Sequence, residues 1–523
     1  MIAALSLGTR NLSLAYWGAV GAFTLAFYVT PYLPLIDYHQ HVAVGAILHR
    51  MMDPASPERA LYDTNLVTYN GGFHVFVALL SYVVPPFHAG RVVMSAYPAL
   101  FALAALAVVK VARRPAWYAF LALPLCYSRG MAWGFANWNL TFPVAVLGVT
   151  WYLRLARGER AMWPRLLLVS CFCAYGHVLA MLCLCLGIAV VQLARVRALG
   201  PTWRARGLAL LGSPLPVLPG VLWCLFVYRH QTRQSFTNWT EAQFDGLDDP
   251  LWFKLRHLLS MSTGNFWDLS DVGLLAGALV AALLLCVLGE PDEPGDLDAL
   301  TLTRVRWLAV TFFCLYLVIP KVFVATWFVY ERFPAPAMLF LVGALQVRRF
   351  PLRDELCAAV AAVGVAAGLN TLRVWATMGD TGDALAALRE VPPRRRLLMV
   401  NLDPMVERIS REVYVHLPAV YQAWGPGEIA YTFTKFESMP VHYRPGKAPP
   451  TVQPGFEWDG NKYDVTAAWA RAYDITLVRA PDDDDPAARV FRHEAWRVKK
   501  IARHGRFHLY DTTELGLPPA TDR

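Results

Sequence analysis

A short segment, Pro34-Leu35-Ile36-Asp37-Tyr38-His39-Gln40-His41, holds one carboxylate and two imidazoles, the groups from which acid–base and metal sites are built. A helix pattern follows, because apolar residues recur on one face at Val44, Ile47, Leu48 and Met51. Since residues four apart share a helix face, Asp37 and His41 can share a site. Two other interpretations stay open. Asp37 simply caps the helix, or His39, His41 and Asp37 bind a transition metal, although alternate helical residues diverge.

Further polar residues stand near the ends of apolar segments, where ionisable groups are costly and mark either a functional pathway or an ion pair. They are Arg129, Asn137, Asn139, His177, Lys321, Glu331 and Arg332. Lys321 follows Arg306 by fifteen residues, or about 22 Å of helix, which places it near the outer membrane surface. For Glu331 and Arg332, an interfacial salt bridge is the simpler interpretation.

The elements that must position these residues are membrane spans. The chain is 56% hydrophobic and 17% charged, whereas soluble domains carry about 25% charged residues. Its apolar runs match the roughly 20 helical residues that cross a bilayer. The clearest runs are 12–30, 208–228, 272–288, 307–330 and 356–375. We therefore expect an α-helical polytopic membrane protein with about 10–12 transmembrane segments.

The net charge of +9 indicates how the membrane spans are oriented and not nucleic-acid binding. The reason is that Lys and Arg cluster in short loops between apolar runs, as they do in cytoplasmic loops of membrane proteins. These clusters lie at 110–114, 154–165, 195–206 and 348–353. If they face the cytoplasm, residues 32–70 form a first external loop and the C-terminal domain lies outside. The helix after Asp37 is then expected to lie on the outer membrane surface.

The run from Leu166 to Ala194 has basic loops at both ends and is too long for one ordinary span. Two short helices broken at Tyr175-Gly176-His177 would solve this, since broken helices are tolerated where they line a protein cavity. The break would turn His177 toward a polar interior.

The organisation predicted from these patterns is a transmembrane domain at 1–376, with external loops at 32–70 and 229–271, and a small α/β domain at 377–523. Strands are expected at Leu397–Leu402, Ile475–Arg479 and Phe507–Asp511. Helices are expected at Pro404–Val413 and Val465–Ala472.

No soluble-enzyme signature is present in the sequence, but the layout resembles the GT-C superfamily of polytopic glycosyltransferases, and more closely a group of uncharacterised bacterial proteins of this type. The resemblance spans most of the chain and is carried by five short motifs. They are Asp37-Tyr38-His39-Gln40-His41, Gly134-Phe135-Ala136-Asn137-Trp138, Tyr175-Gly176-His177, Tyr330-Glu331-Arg332-Phe333 and Tyr414-Val415-His416-Leu417-Pro418-Ala419-Val420-Tyr421.

The resemblance implies transfer of a sugar from a polyprenyl-phosphate donor to a glycan, lipid or protein acceptor at the outer face of a bacterial inner membrane. Asp37 would act as general base, with His41 beside it, and Arg332 with Lys321 or Arg129 would neutralise the phosphate leaving group. The remaining members of the expected donor site are His39, Asn137, Asn139, His177 and Glu331. No cofactor is expected, and a divalent metal is left open.

This sequence has Asp-Tyr-His where several characterised members have Asp-Glu or Asp-x-Asp, which argues against a metal-dependent mechanism. Two other functions stay open. The polar residues could line the path of a transporter or flippase for a lipid-linked or envelope component, although no internal repeat is evident. The chain could also be a non-catalytic envelope assembly protein.

Overall fold

The computed structural model describes residues 9–194, 202–204, 207, 215–231, 249–287, 290–291, 299–322, 328–346, 348–349, 353–436, 438–453, 455–481 and 485–516. The chain forms two compact units, each built from separate stretches of sequence. Unit 1 contains residues 1–27 and 94–373, and unit 2 contains residues 28–93 and 374–523. Residues 232–248 of the predicted loop 229–271 lie outside the described residues, as does most of the basic cluster at 195–206.

Nineteen α-helices occur in the described residues. In chain order α1 to α19 they are Thr9–Val29, Tyr38–Met51, Gly72–Leu80, Pro86–Met94, Tyr97–Val111, Arg129–Ala132, Ala136–Leu155, Trp163–Gly176, Val178–Leu193, Leu218–Gln231, Leu251–Arg256, Leu258–Ser262, Ser270–Val287, Ala299–Val318, Pro334–Ala344, Arg353–Ala376, Thr381–Arg389, Pro418–Trp424 and Ala487–Phe491. A 3-10 helix spans Ala116–Tyr127.

Nine short strands occur in the same residues. In chain order β1 to β9 they are Tyr62–Thr64, Glu290–Pro291, Arg348–Arg349, Arg396–Asn401, Glu428–Ile429, Val441–Tyr443, Ile475–Arg479, Lys499–His504 and Phe507–Asp511. They form two two-stranded sheets, β1-β6 and β2-β3, and one five-stranded sheet of order β5-β4-β7-β9-β8.

Five helical segments in the described residues are long and apolar enough to cross a membrane, and two shorter apolar helices accompany them. The five are Arg10–Val29, Pro86–Val111, Ser270–Val287, Ala299–Val318 and Asp354–Ala376. Among the described residues, the runs 12–30, 272–288 and 356–375 are helical, with helices that end at Val29, Val287 and Ala376. In the run 208–228 the described α-helix begins at Leu218, and the run 307–330 leaves the helix at Val318. The total of 10–12 crossings stays a prediction.

The predicted helix break in unit 1 is confirmed. Helix α8 ends at Gly176 and α9 begins at Val178, while His177 between them has extended backbone angles of φ −162° and ψ 122°. Close packing of the two helices on α7 depends on small residues, because a Cβ at Gly148 would come within 2.8 Å of both Val169 and Leu184.

Unit 2 holds the five-stranded sheet. Strands β5, β4 and β7 run parallel, and β7, β9 and β8 run antiparallel. The three predicted strands are confirmed, since they match β4, β7 and β9. The two predicted helices are wrong: residues 404–413 form bends without a helix, and 465–472 form turns ending in one 3-10 turn at Ala470–Ala472. Burial overrides local helix propensity there, because Ile409, Val413 and Val465 lie in the interior.

Residues 28–93 belong to the same unit as the C-terminal segment. Strand β1 pairs antiparallel with β6, with Tyr62 opposite Tyr443 and their hydroxyls 3.0 Å apart. Helix α2 is buried from Tyr38 to Leu48 on all faces, so the expectation that it lies on the membrane surface is corrected. The C-terminal segment of unit 2 begins at Val374, and the residues expected to form the first external loop, 32–70, belong to this unit as well. The division at residue 376 stays a prediction.

Candidate active site

The first candidate site lies in unit 2 and is named here the Asp37 cluster: Asp37, Gln40, His416, Tyr431 and Trp458. Asp37 precedes α2 but makes no side-chain capping bond to it, so the capping interpretation is not supported. Its Oδ1 lies 3.1 Å from Nε2 of His416. The Asp37 side chain is 19% exposed and that of His416 is 2% exposed. The carboxylate is therefore accessible from one side and held by a buried imidazole from the other.

Aromatic rings fix the orientation of the His416 imidazole. The ring of Tyr431 stacks on it with centroids 4.9 Å apart and planes 9° apart. Phe433 and Trp458 approach edge-on at 6.1 and 6.3 Å. Three rings around one imidazole leave it little rotational freedom, so the Nε2 atom is aimed at Asp37.

Gln40 fastens helix α2 to the segment that carries Tyr431. Its Nε2 donates to the carbonyl oxygen of Tyr431 at 2.7 Å, and its Oε1 accepts from the backbone N–H of Phe433 at 3.1 Å. One buried side-chain amide thus replaces a strand partner for residues 431–433 and satisfies two backbone groups. Helix α2, which begins at the residue after Asp37, is held in fixed relation to the ring that stacks on His416.

The structure gives His39 and His41 partners other than Asp37. His39 stacks on Tyr32, with its Nε2 3.0 Å from the carbonyl oxygen of Leu33. His41 Nδ1 lies 2.9 Å from Nε2 of His74. The expectation that His41 is the imidazole beside Asp37 is therefore corrected. His39 and His41 both lie on the predicted helix, but the side chain of His41 contacts His74 of α3 and not Asp37.

Burial determines the protonation of these histidines. It lowers the pKa of His39 to about 3 and that of His74 to about 3, so both imidazoles are neutral near pH 7. No group of three or more His, Cys, Asp or Glu that could hold a metal ion occurs among the described residues. The arrangement of His39, His41 and Asp37 does not form the metal site considered from the sequence.

The second candidate site lies in unit 1 and is named here the Arg332 cluster: Arg129, His177, Lys254, Glu331 and Arg332. Glu331, whose side chain is 1% exposed, forms an ion pair with Arg129, with Oε2 2.9 Å from Nε, and its Oε2 accepts a hydrogen bond from Trp133 Nε1 at 2.8 Å. The backbone turns back after Trp133 through Gly134, whose φ of 75° favours glycine. The expected salt bridge exists, but it joins Glu331 to Arg129.

Arg332 is 4% exposed and lies over the ring of Phe135, with its guanidinium carbon 3.8 Å from the ring centroid. Its Nη1 is 3.1 Å from Nε2 of His177, and His177 Nδ1 accepts the backbone N–H of Leu179 at 3.1 Å. A neutral imidazole has one donor and one acceptor. Because Leu179 N–H and the guanidinium are both donors, the two contacts cannot both be hydrogen bonds.

Lys254 was not found from the sequence, although it stands beside an apolar helix end like the residues that were. The residue is buried, and its Nζ donates to the carbonyl oxygens of Leu317 and Ile319 at 3.1 and 2.6 Å. The same Nζ lies 4.5 Å from the ring centroid of Tyr330. It therefore closes the open C-terminal end of the helix Ala299–Val318 next to the Tyr330-Glu331-Arg332 turn.

The other predicted residues of unit 1 play different parts. Lys321 is half-buried and lies over the ring of Phe328, 5.4 Å from its centroid. Asn139 is buried and donates to the carbonyl oxygen of Gly130 at 3.4 Å, which fixes the short helix that carries Arg129. Asn137 is buried in the first turn of α7, where its carbonyl oxygen accepts from Thr141.

Two structures of ArnT from Cupriavidus metallidurans, a GT-C glycosyltransferase, are similar to this chain. The structure bound to undecaprenyl phosphate gives a TM-score of 0.56 at 13% identity, and the apo structure gives 0.55 at 12%. Both matches cover 98% of this chain and 100% of ArnT. The chain therefore has a GT-C-like, multi-pass membrane fold with a small C-terminal sheet region, which confirms the predicted fold class. No family model and no curated protein matches the sequence.

Proposed function

We propose that this chain is a membrane glycosyltransferase that moves a sugar from a polyprenyl-phosphate-linked donor to an envelope acceptor. The acceptor oxygen forms a bond to the anomeric carbon, and the bond from that carbon to the phosphate oxygen breaks. The polyprenyl phosphate leaves with the bonding electrons, and the acceptor proton passes to the Asp37 carboxylate. Arg332 and its neighbours stabilise the charge that develops on the leaving phosphate.

The observation that carries the proposal is the pair of donors on either side of the His177 ring. With Leu179 N–H bonded to Nδ1, the imidazole proton lies on Nε2, 3.1 Å from a nitrogen of Arg332. A phosphate oxygen beside both would accept from Nε2–H and from the guanidinium, which are charge-assisted contacts for an anion. The carboxylate next to Arg332 in sequence, Glu331, binds Arg129.

Asp37 supports the second half of the reaction. It has a partly exposed carboxylate directly before a buried helix, and the imidazole of His416 lies 3.1 Å from one of its oxygens. The carboxylate makes no capping hydrogen bond to the helix. A carboxylate held in this way is suited to accept a proton from a hydroxyl group of the acceptor.

Charge and hydropathy support a location for the proposed reaction. Basic residues at 110–114, 154–165 and 348–353 favour the cytoplasmic side for those loops, and the helix Arg353–Ala376 is long enough to cross once. Unit 2 would then face the periplasm of a bacterial inner membrane, where lipid-linked sugars and envelope acceptors meet.

The test is binding of undecaprenyl phosphate to the purified chain in nanodiscs. Arg332→Gln should weaken binding roughly 10- to 100-fold, since a hydrogen bond to a charged group contributes about 1.5–3 kcal/mol. Arg306→Gln, which replaces an exposed arginine outside the cluster, is the matched control and should bind as wild type. Equal binding by both variants would contradict the phosphate site.

Catalysis is tested separately in a strain that lacks the chain. Mass spectra of its envelope extract should lose a glycosylated species that the wild-type chain restores. Unchanged glycans, together with transport of undecaprenyl phosphate across vesicles, would instead identify a flippase.

A further inference from the structure

We propose that His416 is a positioning residue for Asp37, through which the C-terminal segment completes the base of the reaction. This inference rests on the proposed function and adds a residue to it. Asp37 and His416 are about 380 residues apart in sequence, yet Oδ1 and Nε2 lie within 3.1 Å. Both residues belong to unit 2.

The two ring nitrogens of His416 have different surroundings. Nε2 faces the Asp37 carboxylate, whereas Nδ1 is buried and has no hydrogen-bond partner among the described residues. With its proton on Nε2, the imidazole leaves only a lone pair at the buried Nδ1, whereas a proton on Nδ1 would be a buried N–H without an acceptor, which is the more costly arrangement. The favoured tautomer therefore places its Nε2–H beside the Asp37 oxygen 3.1 Å away.

The burial of Nδ1 also limits what His416 does. A catalytic relay needs both ring nitrogens, one for the carboxylate and one for the substrate, as in a serine protease triad. Here the second nitrogen is closed off from any substrate. His416 acts through Asp37 alone, and Asp37 is the group that meets the acceptor.

The contact distinguishes the two carboxylate oxygens, because Oδ1 is the one that lies 3.1 Å from Nε2 of His416. Oδ2 is therefore the oxygen assigned to take the proton. The imidazole that holds Oδ1 is itself held in place, since it is stacked on Tyr431 and enclosed by Phe433 and Trp458. Positioning of this kind contributes to rate through orientation of the base toward the acceptor hydroxyl.

The test compares two substitutions that differ in one hydrogen-bond donor. His416→Gln places an amide Nε2 at the same reach as the imidazole Nε2, whereas His416→Leu keeps the bulk and removes the donor. Transfer is measured as the rate at which labelled sugar from the lipid-linked donor enters the envelope fraction of complemented membranes. His416→Leu should lower kcat roughly 10- to 100-fold and leave KM for the lipid donor unchanged, and His416→Gln should recover most of the rate.

Two controls accompany this test. His442→Leu changes a half-buried histidine of the same unit outside the Asp37 cluster and should retain wild-type activity. In Asp37→Asn, adding His416→Leu should lower the rate no further, because the two residues act as one. Losses that add, or a His416→Gln variant as slow as His416→Leu, would overturn the positioning role.

The outcomes separate this inference from the proposed function. Wild-type membranes that transfer no sugar would refute the glycosyltransferase, and the positioning role with it. Active wild-type membranes in which Asp37→Asn is slow and His416→Leu is normal would refute only His416.

Discussion

Glu331 and Arg332 are neighbours in sequence, but their side chains bind different partners: Glu331 forms an ion pair with Arg129, and Arg332 lies 3.1 Å from His177. The 3-10 turn Tyr330–Arg332 accounts for this, since it directs successive side chains to different sides. Glu331 thus forms an ion pair, while the guanidinium of Arg332 lies next to the imidazole of His177 at the helix break.

The Glu331–Arg129 pair should stabilise unit 1. Glu331→Gln leaves the Arg129 guanidinium without its carboxylate, and removal of one partner from a buried pair costs about 3 kcal/mol or more. We expect a lower melting temperature in detergent for Glu331→Gln, and recovery of most of the loss in the double variant Arg129→Met with Glu331→Gln. A double variant less stable than the single one would show that the loss in Glu331→Gln does not come from an unpaired Arg129.

Asp37→Asn should distinguish a catalytic role of Asp37 from a structural role. The side chain makes no capping bond, so the substitution should leave the amount of chain in the membrane near wild type. Loss of a general base lowers rates by about 10²- to 10⁴-fold, and the glycan defect of a deletion strain should persist. Asp53→Asn, in an exposed turn, is the control and should complement fully. Complementation by Asp37→Asn would remove the base from the mechanism.

The stability of unit 2 should fall in acid because burial lowers the pKa of His74 and of His39 to about 3. The unfolded chain binds these protons near pH 6.5 and the folded chain near pH 3, so their contribution is complete above about pH 6.5 and is lost as pH falls toward 3. Each residue changes the free energy of unfolding by up to about 1.4 kcal/mol per pH unit.

Melting temperatures at pH 7.5, 6 and 5 check this dependence. His74→Gln should flatten the decline, and His493→Gln, at an exposed position, should leave it unchanged. A melting temperature that stays constant over this range would contradict the linkage.

The topology is open to direct labelling. Ala488→Cys in unit 2 and Ala161→Cys in the basic loop 154–165 both place a thiol at an exposed position of a cysteine-free parent. An impermeant maleimide added to intact spheroplasts should modify Ala488→Cys and spare Ala161→Cys until the membrane is broken. The reverse pattern would place unit 2 in the cytoplasm.

Local sequence patterns predict much of the fold. Apolar runs of span length predict the long helices, and the basic loops around Leu166–Ala194 predict the break at His177, because both signals depend on nearby residues. The segments 404–413 and 465–472 do not form the expected helices. Their apolar residues pack in the interior of unit 2 against residues distant in sequence, and this packing determines their conformation. Helix α2 was located correctly, but its burial on all faces depends on the C-terminal segment.

The candidate site divides in the same way. Asp37, Arg332 and His177 stand out as charged or titratable residues beside apolar runs. His416 lies inside a motif that carried the family resemblance, but nothing in its spacing points to Asp37, since a pair so distant in sequence is defined only by the fold. Lys254 and Gln40 act through backbone carbonyl and amide groups, whose positions a sequence pattern does not contain.

Unit 2 is made from two stretches separated by the roughly 280 residues between Val93 and Val374. At about 5–20 residues per second, a ribosome needs between about a quarter of a minute and a minute to synthesise that interval. The segment that contains Asp37 is therefore synthesised first. Its partners His416, Tyr431 and β6 are synthesised only after that interval. A chain that ends anywhere before residue 416 would present the Asp37 segment without its His416 partner.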